Sequence, residues 1–153
     1  MNNNSLGIYN KYYLTFNDED FVFDDIEAAE IQIMNYLNER DGRLMLMADD
    51  GARPWWQRYL FGLKRFHRLL LSCEWSGDIA GLNLYDENSS EYRARPLARL
   101  EIVDASSKAM ISFGEAQPID DNFLVLKEDL KTAVKQFLAS GVRPECFNYE
   151  FVE

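Results

Sequence analysis

The chain has 153 residues, 47% of them hydrophobic and 14% aromatic, with a formal charge of −10. Such a length supplies one domain, spanning 1–153, with a core of its own, and the composition excludes a disordered chain. The charge sets the average surface against nucleic acid and anionic membranes, so neither is expected as a partner, and it favours a basic protein instead. The acidity is uneven: residues 1–50 hold eleven acids and three bases, 51–103 six and eight, and 104–153 nine and five. Met1 to Ser5 has neither a basic start nor an apolar run, and no stretch approaches the ~20 apolar residues of a membrane span. A cytoplasmic location is expected.

Residues 1–7 read as a loose amino end. Ile8 to Phe16 is rich in Tyr, Ile, Leu, Thr and Phe, the types that suit a pleated surface, and predicts a first strand. Asn17-Asp18-Glu19-Asp20 reads as a turn, followed by Phe21-Val22-Phe23 in extended form. Asp24 or Asp25 then caps a helix whose apolar face uses Ile26, Ala29, Ile33, Tyr36 and Leu37. Asp41-Gly42 is expected to end that helix, before a strand over Arg43 to Met47 and a turn at Asp49-Asp50-Gly51. Between Ala52 and His67, Trp55, Trp56, Tyr59, Leu60, Leu63 and Phe66 fall at helical spacing among bases with no acid. That stretch is a short amphipathic helix or a structured loop.

His67 to Trp75 and Ile79 to Tyr85 predict a hairpin turning at Ser76-Gly77-Asp78, with Leu69, Leu71, Cys73 and Trp75 on one face. Asp86 to Pro96 is polar and reads as loop. Leu97 to Val103 and Lys108 to Phe113 form a second hairpin candidate, and Phe123 to Val125 a short strand. Leu126, Leu130, Ala133, Val134, Phe137 and Leu138 then share one helical face, with Lys127, Lys131 and Lys135 toward water. Ser140-Gly141 and Pro144 end this helix, and Phe147 to Val152 alternates as a half-buried strand. The sum is an α+β fold: an antiparallel or mixed sheet of about six strands, with two main helices packed on one face.

The tail, from Leu126 through Phe137-Leu138-Ala139-Ser140-Gly141-Val142-Arg143-Pro144 to Tyr149-Glu150, resembles the end of the first numbered family of bacterial immunity proteins encoded beside polymorphic toxins. That family closes with an amphipathic helix, a Gly-x-Arg-Pro exit and a strand bearing Trp-Glu; Tyr149 stands here where tryptophan is usual. The resemblance covers about a fifth of the chain. It implies a protein that binds and neutralises a cognate toxin, including toxins of contact-dependent growth inhibition, and it carries Tyr149 and Glu150 over as candidate contact residues.

Residues for catalysis are sparse. His67 has no second histidine for a metal, and Cys73 lies in a strand sequence where cysteine serves as a small core residue. Cys73 and Cys146 show no metal or disulfide spacing, and phosphate-binding glycine loops and zinc-protease motifs are absent from the sequence. Acid runs lack the glycine-centred loop of a calcium site. No cofactor, metal or enzyme activity is expected. An acidic binding protein suits a toxin nuclease or nucleic-acid deaminase, whose cleft must attract phosphate and is therefore basic. The expected contact residues are Asp18, Glu19, Asp20, Asp24, Asp25, Asp49 and Asp50, with Trp55, Trp56 and Trp75 as aromatic anchors. The competing readings are a regulatory or adaptor domain for another basic protein, and a small enzyme using Cys73 or His67.

Overall fold

The structure, a computed structural model, describes residues 11–49, 55–62, 69–86, 88–101 and 104–152. It begins with β1 (Lys11–Phe16) and β2 (Glu19–Phe23), joined at Asn17-Asp18. Both turn residues have positive φ, 45° and 71°. Asn and Asp tolerate this conformation best after glycine, and its twist matches that of the flanking strands. The turn is therefore two residues long, and Glu19 and Asp20 belong to the strand.

Asp25 accepts a hydrogen bond from the Glu27 N–H (3.0 Å) and caps α1 (Ile26–Leu37), whose Ala29, Ile33 and Leu37 are buried. The helix stops at Asn38, before Gly42. That glycine instead lies inside β3 (Asp41–Asp49), because an added Cβ would sit 2.5 Å from the Trp75 ring. After α2 (Trp55–Phe61) comes the expected hairpin, β4 (Leu69–Ser76) and β5 (Ile79–Asp86), paired from Leu69–Asp86 to Ser76–Ile79. β6 (Glu91–Pro96), α3 (Ala105–Lys108), β7 (Val125–Leu126), α4 (Lys127–Ser140) and β8 (Phe147–Phe151) complete the chain.

The architecture is α+β; among the described residues there are eight strands in one sheet, more than the six or so expected, and every strand pair is antiparallel. Their order is β2-β1-β3-β4-β5-β6-β8, with β7 beside β5. Leu14, Leu46, Leu71, Trp75, Leu82, Leu84 and Ala94 meet α1 and α4 on one face and form the main core. On the other face Ile79, Ile111, Ile119 and Leu124 make a smaller core with Leu100, Phe113 and Phe123. The segment 97–124 thus covers part of the second face, and β1 and β3 leave the Met45 side chain exposed there.

Two further stretches differ from expectation for physical reasons. Residues 91–96 are a strand rather than a loop. Ala94 faces the main core, and Arg93 is buried on the other side, between the rings of Phe113 (5.6 Å) and Phe123 (5.4 Å). Its Nε–H donates to Asn83 Oδ1 (3.0 Å). An arginine in a buried position hides the alternation. The hairpin expected over 97–103 and 108–113 does not form among the described residues; residues 102 and 103 lie outside them. Asp104 accepts from the Ser106 N–H (3.0 Å) and starts a helical turn, and the Glu74 carboxylate takes the N–H groups of Ser112 (3.2 Å) and Phe113 (3.1 Å). A second hairpin would need those donors for its ladder.

One carbonyl links distant parts of the chain. Glu39 O accepts from Trp75 Nε1–H (2.9 Å) and from Lys127 Nζ (2.7 Å), while the Lys127 N–H donates to Asp78 O (2.8 Å). Lys127, expected to face water, is therefore buried, and that burial lowers its amine below the ordinary lysine range. Gly42→Ala would push a methyl group into the Trp75 ring. It is expected to cost about 1–3 kcal/mol, by analogy with other overpacked cores, and urea unfolding followed by tryptophan emission measures it.

Candidate partner-binding site

The sequence-level contact residues separate into three places on the sheet. Asp18, Glu19 and Asp20 lie at one end of the edge strand β2, and Asp24 and Asp25 just beyond its other end. All five are exposed. Four residue steps along the strand separate Asp20 from Asp24, a span of about 14 Å, so these carboxylates form a margin along one edge. Asp18 pairs with the Arg43 guanidinium, and Asp20 accepts from Thr15 Oγ1 (2.7 Å). Asp18, Asp20 and Asp25 thus have local work in a turn, a strand pair and a helix cap.

The backbone of Asp49 lies opposite Lys11 at the β3 end nearest Asp24. Asp50 and His67 lie outside the described residues. α2 comes next among the described elements, with Trp55 and Trp56 exposed. Trp75 does not join them. Its ring is 1% exposed and packed near Phe16, so it is a core residue whose burial keeps it from meeting a partner directly.

Tyr149 and Glu150 stand on β8, at the opposite margin, six strand spacings or roughly 29 Å from β2. Here the Gly-x-Arg-Pro exit and the last strand interlock. Gly141 ends α4 in the left-handed conformation, φ 68°. The Arg143 guanidinium then lies over the rings of Tyr92 (4.6 Å) and Tyr149 (4.9 Å), and the Tyr149 hydroxyl donates to Pro144 O (2.8 Å). Glu150 pairs with Arg95 at 3.1 Å. Sequence reading missed Arg143 as the partner of Tyr149 and Tyr92 as the second ring beneath that guanidinium; the cation–aromatic pairing of Arg143 with Tyr149 across a short exit was the available signal.

The thiol that the sequence offers as a nucleophile is not activated where it lies. Cys73 is buried between β3 and β5, and desolvation, followed by the nearby Glu74 charge, pushes its thiol far above the ordinary range. The thiolate needed for attack is disfavoured there. Among the described residues no group of three or more His, Cys, Asp or Glu is placed to hold a metal ion. A shallow cleft of about 200 Å³ on the second face, bordered by Thr15, Asp18, Arg43, Ser72, Glu74 and Phe113, has both its acids engaged, Glu74 by the two backbone donors named above and Asp18 by Arg43. No described helix is long and apolar enough to cross a membrane.

No protein-family model matches this chain, and no curated protein shows significant similarity to it.

Burial raises the Tyr149 phenol above its ordinary range. At pH values below about 10 the phenol is protonated in both folded and unfolded chains, so its contribution is complete. Above that, the unfolded chain releases its proton first, and stability falls as pH rises. Tyr149→Phe is expected to lose about 1 kcal/mol at neutral pH for the missing hydrogen bond and to flatten the alkaline decline. Denaturant midpoints between pH 8 and pH 11 report both effects.

Proposed function

We propose that this chain is an immunity-type inhibitor that binds one cognate toxin, a nuclease or nucleic-acid deaminase with a basic cleft, through the acidic β2 margin. The observation that carries the reading is the exposure of Asp18, Glu19, Asp20, Asp24 and Asp25 along a single sheet edge in a chain of charge −10. Such a margin attracts a cationic surface and accelerates encounter. The tail resemblance to the immunity family adds to this reading, and its residues Arg143, Pro144 and Tyr149 pack together beside β8. Inhibition then consists of covering the cleft where the toxin would bind phosphate, in the cytoplasm of the cell that makes both proteins.

The deciding experiment expresses the chain with the product of the adjacent gene. The reading expects a neighbour that is lethal alone, harmless together with this chain, and copurified with it. A harmless neighbour that does not bind would remove the support for a toxin and favour an adaptor for another basic protein.

Glu19→Lys combined with Asp24→Lys leaves the turn acid Asp18 and the cap Asp25 in place. It is expected to slow association with the toxin by about tenfold or more at low salt, with a smaller change in dissociation. Stopped-flow mixing across ionic strength measures this, and an unchanged association rate would shift the contact away from β2.

A further inference from the structure

The sheet ends on β2 and β8, and an end strand keeps one row of backbone groups that no neighbouring strand takes up. On β8 the register identifies that row. The Val152 N–H donates to Glu91 O (2.9 Å), and β6 and β8 hold the same register from there through Arg93–Glu150 and Arg95–Asn148. Bonded positions alternate along an antiparallel pair, so Asn148, Glu150 and Val152 spend their N–H and C=O groups on β6. Phe147, Tyr149 and Phe151 therefore turn theirs outward. Pro96 lies opposite Phe147, a position of the pair where no N–H is required. Among the described residues none bonds to this outer row. Asn148, Glu150 and Phe151 are exposed along it, Phe151 by 61%.

Paired antiparallel with itself, this strand closes on one register. With Tyr149 opposite the second copy's Tyr149, each Phe147 falls opposite a Phe151, and all the outward residues exchange hydrogen bonds with their opposites. A shift of two residues leaves part of each row unbonded. Such a contact is isologous, the symmetry of the commonest dimers. Asn148 of each copy then stands opposite Glu150 of the other in the closely spaced kind of pair, where its amide donates to the carboxylate. Arg95 sits beside Asn148 and pairs with Glu150 of its own copy at 3.1 Å, so no acid faces an acid.

The β2 edge differs. It carries Glu19 and Asp20, with Asp18, Asp24 and Asp25 just beyond its ends, and a second copy there would bring carboxylate against carboxylate. Charge closes one edge to self-pairing and leaves the other open. A strongly basic partner has little to attract it at β8, where Arg95 balances Glu150.

We infer that two copies of this chain join edge to edge through β8, forming one continuous antiparallel sheet with a β2 margin at each far end. The contact is independent of the toxin reading, because it leaves β2 free, and it gives Tyr149 and Glu150 to the second copy. The strand is five residues long. Its interface is smaller than the roughly 1,600 Å² of a standard complex, so the pair dissociates on dilution.

Sedimentation velocity of the full chain, from low micromolar to submillimolar concentration, tests the pairing. The mass is expected to rise from one chain toward two. Asn148→Glu sets like charges opposite each other twice and should weaken association by about fivefold or more, whereas Asn148→Lys should strengthen it by about threefold. Arg95 beside position 148 accommodates the new acid within one chain, so the Glu variant should melt as the parent does. Amide hydrogen exchange of the unaltered chain gives a second readout. Protection of Phe147, Tyr149 and Phe151 should grow with concentration, while Asn148 and Glu150, already bonded to β6, stay as they are. A monomer at every concentration, a dimer indifferent to both substitutions, or concentration-dependent protection at β2 instead would each overturn the inference.

Discussion

The Glu39 carbonyl is the constraint on which the arrangement of the two helices depends. It lies just after α1, accepts the indole N–H of Trp75 from β4, and also accepts the ammonium group of Lys127 at the start of α4. Three elements far apart in sequence are thus fixed to one atom. Trp75 then has to lie flat against β3, and only glycine at position 42 leaves room for its ring. With α1 and α4 set in this way, their apolar stripes close over the central strands, and the sheet extends outward to its two contrasting margins. Lysine at a helix start opposes the helix dipole. Its hydrogen bond to a carbonyl that water does not reach freely offsets that cost.

The fold was legible in the sequence wherever burial and hydrophobicity coincide. The β4–β5 hairpin and α4 expose their periods directly, since each inward position is apolar and glycine marks the stop. Reading failed where polar groups do inward work. Arg93 occupies a position that alternation reserves for an apolar side chain, and Lys127 is polar by composition but spends its charge on a buried carbonyl. Gly42 looked like a helix stop because glycine marks both turns and close approaches, and only the three-dimensional path of Trp75 separates these roles. Likewise Leu100, Ile111 and Phe113 promised strands, yet they supply a second small core after Glu74 has taken two backbone donors.

The candidate site was legible in its composition and obscure in its arrangement. Exposure of the amino-terminal acids follows from their charge, but the division of Asp18–Asp20 from Asp24–Asp25 follows from a two-residue turn that composition could not locate. These acids also protect the fold: carboxylates along an edge strand discourage pairing with another chain. Trp75 illustrates the opposite error, for an aromatic residue suited to an interface is equally suited to a core, and its hydrogen bond to Glu39 decides between them. At the other margin, Tyr149 is held by Arg143 and Pro144, through its ring and its hydroxyl respectively.

The two cysteines give this protein an internal clock for opening. Cys73 is buried in the middle of the sheet, whereas Cys146 lies partly exposed beside the last strand. A small alkylating reagent meets Cys146 through minor fluctuations of the chain end, but reaches Cys73 only after β3, β4 and β5 separate. The slower of the two labelling rates therefore follows rupture of the central sheet, and the ratio between them distinguishes loosening of the β8 margin from loss of the whole fold.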